Sequence, residues 1–382
     1  MSVFDETRYL DVGDYFTIQY PSYDMASTLN KLHPWLKLPL LVSAPMLGAA
    51  TPALAVAVSR AGGIGFVAGG VKLEDLTESL DQVSSLLRAG PQVNALAGTL
   101  PIGVGFQLWS CKLSMAVAAV GKHMPAIAWL FAPTQTEDFA TWSQDIRHAT
   151  SGKTQIWIQV GSVAEARKAV QLGNPDVLVV QGSDAGGHGL SKSASVVSLV
   201  PEVLDMLESV NRSDIPVLAA GGIMEGRGVA GALALGATGV VMGTRFLAAQ
   251  EAGVAKGWQN EVIRACDGGQ STNRSTLCDR LKETKGWPAC YDGRAIENKG
   301  HEDEKAGMPD HENVALYKSE LANGDSAWGL HGRMVTYAGT GVGLVRQVKP
   351  AASIVSEVHS SAGKAIQRAV GILTGEKSRP KL

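Results

Sequence analysis

The chain has 382 residues, 45% hydrophobic and 18% charged, which is enough apolar material for one elaborated domain or two ordinary ones and excludes a disordered or coiled-coil chain. Its 34 Lys+Arg against 36 Asp+Glu leave a formal charge of −2 with no long run of one sign, which argues against nucleic acid or an anionic membrane as partner. The apolar runs are about strand length, short of the roughly 20 residues a membrane span needs, and four cysteines are too few for a disulfide scaffold.

Met1 to Tyr20 carries Asp5, Glu6, Asp11 and Asp14 and lacks the basic start and apolar core of a secretory signal. Beyond it, apolar runs of four to eight residues alternate with segments of helical period, the pattern of βα units around a buried parallel sheet. The runs predict strands at Leu41 to Met46, Gly63 to Ala68, Ile102 to Phe106, Ala126 to Phe131, Gln155 to Val160, Val177 to Gln181, Pro216 to Ala220 and Val240 to Met242. Between them, helices are expected at Thr51 to Ala61, Leu73 to Arg88, Lys112 to Lys122, Thr136 to Ala149, Val163 to Leu172, Val196 to Val210 and Gly226 to Leu235. Eight such units close naturally into a (β/α)8 TIM barrel. The competing doubly wound open sheet lacks its GxGxxG after the first strand.

The alternation stops near Ala252, and residues 254–335 turn polar and charged, which predicts a smaller, mostly helical cap domain after a barrel spanning 1–253 with its N-terminal extension. Residues 336–382 then offer a Gly-rich return loop, Thr336 to Gly343, and an amphipathic helix from Ala352 to Leu373 packing on the barrel. Cys266, Cys278 and Cys290 share a spacing of twelve, but with no CxxC or paired His no metal site is expected.

Chemistry is expected at the strand C-termini. Strands seven and eight end in Ala220-Gly221-Gly222 and Gly243-Thr244, where barrels of this kind hold a phosphate on backbone N–H groups. The plain alternative is a tight turn at Gly221-Gly222 and a helix cap at Thr244. Strand six ends in Gln181 to Gly189, where glycines raise His188 at the mouth, a suitable place for a general base. Asp184 is placed either to orient that imidazole or to cap the next turn, with Ser183 beside it as a second candidate substrate contact. Ala44, Pro45 and Met46 end the first strand with a rigid turn and a soft side chain on which a planar ring can lie. Gln159 ends the fifth, either donating to a ligand carbonyl or satisfied by backbone.

The blocks APM with TPALAVAVSRAGGIGFVAGG, VQGSDAGGHG, AAGGI with MGTRF, and YAGTGVGL at 337–344 together resemble the nitronate monooxygenases, formerly 2-nitropropane dioxygenases, in their fungal branch. The resemblance covers nearly the whole chain and implies an FMN-dependent barrel that oxidises alkyl nitronates with O2 to carbonyl compounds and nitrite, without a metal. It implies that Gly221, Gly222, Gly243 and Thr244, beside Ala220, hold the FMN phosphate. Ala44 to Met46, Gln159 and Gly187 would line the isoalloxazine and ribityl chain, and His188 would be the catalytic histidine. Asp184 stands where many bacterial relatives have Glu, and GVGFQ at 103–107 lacks their Asn. The alternatives are an FMN-dependent enoyl or quinone reductase using NAD(P)H, a biosynthetic flavin oxygenase, and a non-catalytic binder on the same barrel. A small nitronate or nitroalkane and O2 are the expected partners of a monomer or homodimer. A cytoplasmic place is expected; the terminal Pro380-Lys381-Leu382 resembles the peroxisomal Ser-Lys-Leu address with proline in place of its small residue.

Overall fold

In the computed structural model, which describes residues 29–375 except 30, 71, 72, 97 and 330, eight parallel strands and their helices alternate in the predicted order. The readings of Met1 to Tyr20 and of the terminal tripeptide lie outside the described residues. The first half contains β1 (Leu40–Ser43), α1 (Pro52–Arg60), β2 (Phe66–Ala68), α2 (Leu73–Arg88), β3 (Leu100–Gln107), α3 (Leu113–His123), β4 (Pro125–Phe131) and α4 (Asp138–Ala149). The second contains β5 (Gln155–Val160), α5 (Val163–Gly173), β6 (Val177–Gln181), β7 (Gly187–Leu190), α6 (Val196–Ser209), β8 (Val217–Ala220), α7 (Gly226–Ala234) and β9 (Gly239–Met242). The barrel order is β1-β9-β8-β6-β5-β4-β3-β2, and a parallel bridge between Val42 and Ile64 closes the ring.

The strands are apolar on both faces because both are covered. Every residue of β1, β8 and β9 is buried. Leu40, Val42, Phe66, Trp129, Trp157, Val179 and Leu218 pack inside the barrel, while Leu41, Val104, Leu130, Ile158, Val180 and Ala219 face the helices. The interior takes large rings because glycine makes room for them: a Cβ on Gly103 would sit 2.1 Å from the Phe66 ring, itself 5.2 Å from Trp129. Gly65 likewise lets α1 approach, a Cβ there falling 1.9 Å from the Ala55 carbonyl oxygen. These glycines serve close packing of the barrel. Helix starts follow their capping residues: Thr51 accepts from Leu54 N–H before Pro52 opens α1, and Ser162 accepts from Glu165 N–H at the start of α5. At the N-terminal end, Leu29 and Leu36 join the barrel interior, Trp35 donates to Gly63 O, and His33 bonds Gln155 at 2.7 Å.

After β9 the shell does not receive an ordinary eighth helix. The α8 segment (Thr244–Leu247) has four residues, and the cap follows as α9 (Lys256–Arg264), α10 (Gly268–Ser271), β10 (Thr272–Ser275), α11 (Leu277–Lys282), β11 (Tyr291–Ile296), α12 (Lys299–Lys305) and α13 (Asp310–Glu320). Only then does α14 (Ala351–Thr374) return to pack on α7 and α1, burying Ala351, Ile354, Val355, Val358 and Ala362. It fills the open place in the shell, its three β-branched side chains contributing about 1.5–3 kcal/mol each.

The helical reading of the cap needs one addition. β10 and β11 form an antiparallel sheet whose third strand is β7, the segment carrying His188, with Gly293 opposite His188 and Arg294 opposite Gly187. The histidine segment takes its strand partner from the cap, while the barrel reaches it through the Gln181 side chain, which donates to His188 O at 3.2 Å. Among the described residues, no helix is long and apolar enough to cross a membrane.

Candidate active site

Three βα loops meet at the C-terminal mouth of the barrel. After β8, Gly221 and Gly222 have φ of +110° and +73°, the left-handed region that favours glycine. A Cβ on Gly222 would also come within 3.0 Å of Asp184 Cβ. After β9, a Cβ on Gly243 would lie 3.6 Å from Met46 Sδ and 3.8 Å from Ala44 Cβ, so the first-strand triplet Ala44 to Met46 stands directly beside it. Among the described residues, the N–H groups of Gly221, Gly222, Gly243 and Thr244 find no acceptor. Backbone N–H groups gathered without acceptors in two neighbouring loops suit an anion. The Thr244 hydroxyl accepts from Gly339 N–H at 3.0 Å rather than capping its own helix. Ala220, at the foot of this cradle, is buried.

Opposite, Gln159 is nearly covered, with its Oε1 taken by the Trp129 indole N–H at 3.1 Å. Its amide N–H groups have no acceptor among the described residues, so of the two sequence readings the donor role is the one left open. Gly187 has φ +69°, and a Cβ there would meet nothing within 4 Å, which leaves its surface clear. Pro45 lies against Gly105, where any side chain would collide with its ring.

His188 and Asp184 part company. The Asp184 carboxylate accepts from Thr340 Oγ1 at 2.8 Å, and its backbone carbonyl accepts from Thr340 N–H, which ties the loop after β6 to the return segment. Ser183 is held through its carbonyl by Arg294, and Arg274 donates to Ala185 O. The group that meets the imidazole is Asp279, on α11 of the cap, both of whose oxygens lie 2.9 Å from His188 Nε2. The Trp287 indole lies flat on the imidazole, 3.8 Å between centroids and 5° between planes, and Tyr337 stands 5.4 Å away. Trp109 and Phe131, from the ends of β3 and β4, pack on Trp287 at 4.9 and 6.1 Å. The far side of Trp287 and Asp279 borders an open groove of about 870 Å³.

Sequence reasoning missed Asp279, Trp287 and Tyr337. Asp279 is 91 positions from His188, and no local spacing links them. Burial among the ring cluster pushes the Tyr337 phenol far up, so it stays a neutral hydroxyl. At the neighbouring seam between barrel and cap, Tyr291 donates to Glu165 Oε1 at 2.8 Å, while Glu165 Oε2 accepts from Gly161 N–H. Desolvation pushes the Glu165 carboxyl up despite both hydrogen bonds. Cys278 is buried and its thiol is pushed up to about 12, mainly by burial, which leaves it a poor nucleophile. Among the described residues, no group of three or more His, Cys, Asp or Glu is placed to hold a metal ion.

A closed (β/α)8 barrel with acceptor-free glycine loops after its last two strands is a frame on which enzymes hold phosphate-bearing ligands. The nitronate monooxygenase family model matches residues 137–360. The chain is 47% identical to the nitronate monooxygenase npaC of Metarhizium robertsii, over 87% of this chain and 94% of that one. It is 38% identical to the nitronate monooxygenase of Neurospora crassa, over 90% and 94% of the two chains. A nitroalkane oxidase structure from Streptomyces ansochromogenes shares the fold, with a TM-score of 0.68 at 23% identity over 90% of this chain and all of that one. The chain belongs to the nitronate monooxygenase family.

Proposed function

We propose that this protein is an FMN-dependent enzyme that oxidises alkyl nitronates, and nitroalkanes after deprotonation, with O2 to carbonyl compounds and nitrite. Family membership supports the reaction class. The observation that carries the cofactor is the cradle of acceptor-free N–H groups at Gly221, Gly222, Gly243 and Thr244, which suits a phosphate. Ala44 to Met46, Gly187 and the Gln159 amide then flank the ring and ribityl chain. A bound flavin would supply the redox chemistry, an electron acceptor for the substrate that O2 can reoxidise.

The protein's own residues hold the reactants and handle the proton. His188 takes the proton next to the nitro group of a neutral nitroalkane, or as imidazolium holds the nitronate anion. Trp287, Trp109, Phe131 and Tyr337 wall off water on the cap side. Asp184 and Ser183 sit behind the return segment and shape the substrate end of the loop after β6. Residues 1–253 are the cofactor-holding unit, 254–335 the cap, and 336–382 the segment that closes the two together. We place the enzyme in the cytoplasm as a monomer or homodimer.

The test is the visible spectrum of the purified yellow protein mixed anaerobically with ethyl nitronate. Bleaching of the flavin band is expected. A flavin that stays oxidised with nitronate but bleaches with NADPH overturns the reaction and favours a reductase on the same barrel.

A further inference from the structure

We propose that Asp279 is the positioning residue for His188: its carboxylate fixes the imidazole by Nε2 and makes Nδ1 the atom that takes the substrate proton. The inference rests on the proton-abstraction role of His188 given above and deepens it.

Four observations carry it. A carboxylate only accepts hydrogen bonds, so Nε2, 2.9 Å from both oxygens, bears a hydrogen whether the ring is neutral or cationic. Asp279 is itself only 8% exposed, and its carboxylate has no other hydrogen-bond partner among the described residues. Turning the ring away would leave this mostly buried carboxylate without a partner, which resists such a rotation. The ring is also boxed. Trp287 covers one face, Tyr337 packs beside it, and Gly293 opposite supplies backbone in place of a side chain, a Cβ there falling 3.6 Å from Nε2. Nδ1, finally, makes no hydrogen bond among the described residues and is not enclosed.

The other charged groups nearby do not compete for the imidazole. Lys282, one turn along α11, lies over the Tyr337 ring at 5.3 Å. Arg274 pairs with Asp292 and holds Ala185 O, and Arg294 holds Ser183 O; in the ladder these residues alternate with Gly293, on the opposite face of the sheet from His188. Asp184 is taken by Thr340.

The proton step follows. The C–H bond next to the nitro group breaks, its electron pair moves onto the nitro group to give the nitronate, and the proton goes to Nδ1. The imidazolium so formed keeps its Nε2–H on Asp279, whose negative charge offsets the new positive one. The arrangement parallels the orienting carboxylate of hydrolase triads.

The experiment uses flavin-loaded protein labelled with 15N-histidine, its His188 signals assigned by their absence in His188→Asn. A hydrogen-bonded, slowly exchanging Nε2–H is expected in the wild type and lost in Asp279→Ala. A bare Nε2 in the wild type, or an Nε2–H unchanged in Asp279→Ala, overturns the positioning. The isosteric Asp279→Asn provides the kinetic arm and guards against a folding failure of the alanine variant. With flavin content retained, kcat/KM for nitroethane should fall by about 10²–10⁴, and that for preformed ethyl nitronate by less than about tenfold, the size expected where no proton is abstracted. Asp279→Glu should recover part of the loss. Equal losses on both substrates, or a wild type active on ethyl nitronate but inert toward nitroethane, overturn the proposal. A wild type inert toward ethyl nitronate instead removes the proposed reaction, and the spectroscopic arm still reads the His188–Asp279 pair by itself.

Discussion

Gly222 combines a backbone that disfavours any Cβ with a position beside Asp184 and an N–H that has no acceptor among the described residues, so substitutions there separate strain from charge. Gly222→Ala adds the left-handed penalty of about 1–2 kcal/mol and presses a methyl against Asp184 Cβ, 3.0 Å away, but brings no charge. Gly222→Asp adds a carboxylate against the proposed phosphate and should release FMN on dialysis where the alanine variant retains most of it, read as flavin absorbance per mole of protein. Equal retention by both variants would remove the phosphate from this loop. His188→Asn should keep the yellow colour and lose about 10²–10⁴ in kcat/KM on neutral nitroalkanes, with a smaller loss on preformed nitronates. At this scale the barrel half of the proposed site was legible in the sequence, because glycines and a histidine at strand ends are local signals. It hid Asp279 and Trp287, which reach His188 only through the tertiary fold.

The eight barrel strands and seven shell helices were legible because runs such as LVVQ and QIWIQV are buried on both faces and end at turn residues. The small sheet was not. β10 reads TNRS, β11 reads YDGRAI and β7 reads GHGL; none shows an apolar alternation, and the pairing of β7 with β11 joins segments about a hundred positions apart. Their register is held by Arg274 and Arg294 on backbone carbonyls and by the Tyr291–Glu165 bond, features that propensity does not report. Burial of Glu165 gives the seam a pH dependence. Desolvation raises the folded-state pKa of Glu165, so the folded chain holds this proton more readily than the unfolded one. The stabilisation is fully present below the unfolded value, roughly 4.3, and is lost as pH rises through the folded one. Glu165→Gln cannot take up the proton. The Tm of the wild type minus that of Glu165→Gln should therefore increase as pH falls from neutral toward that range, followed by thermal unfolding across a pH series. A difference that stays constant or shrinks would show that Glu165 remains ionised in the seam.

For the molecule as a whole, the cap is inserted between the last barrel strand and the helix that completes the shell. Ile354 is fully buried where α14 meets the barrel. Ile354→Ala should cost about 2–5 kcal/mol, seen as a lower urea midpoint for a barrel probe and not only for the cap. An unchanged midpoint would mean that α14 is an appendage rather than part of the barrel shell. The insertion also sets the order in which the protein can be finished while it is being made. When β9 has left the ribosome the eight strands are complete, yet the seam between α7 and α1 stays bare until the cap and α14 have followed. At roughly 5–20 residues per second, the 132 residues from Met242 to Thr374 take about 7–26 s. During that interval, the nascent chain presents an apolar furrow of the kind chaperones bind, which ties the yield of folded enzyme to the pace of translation over its last third.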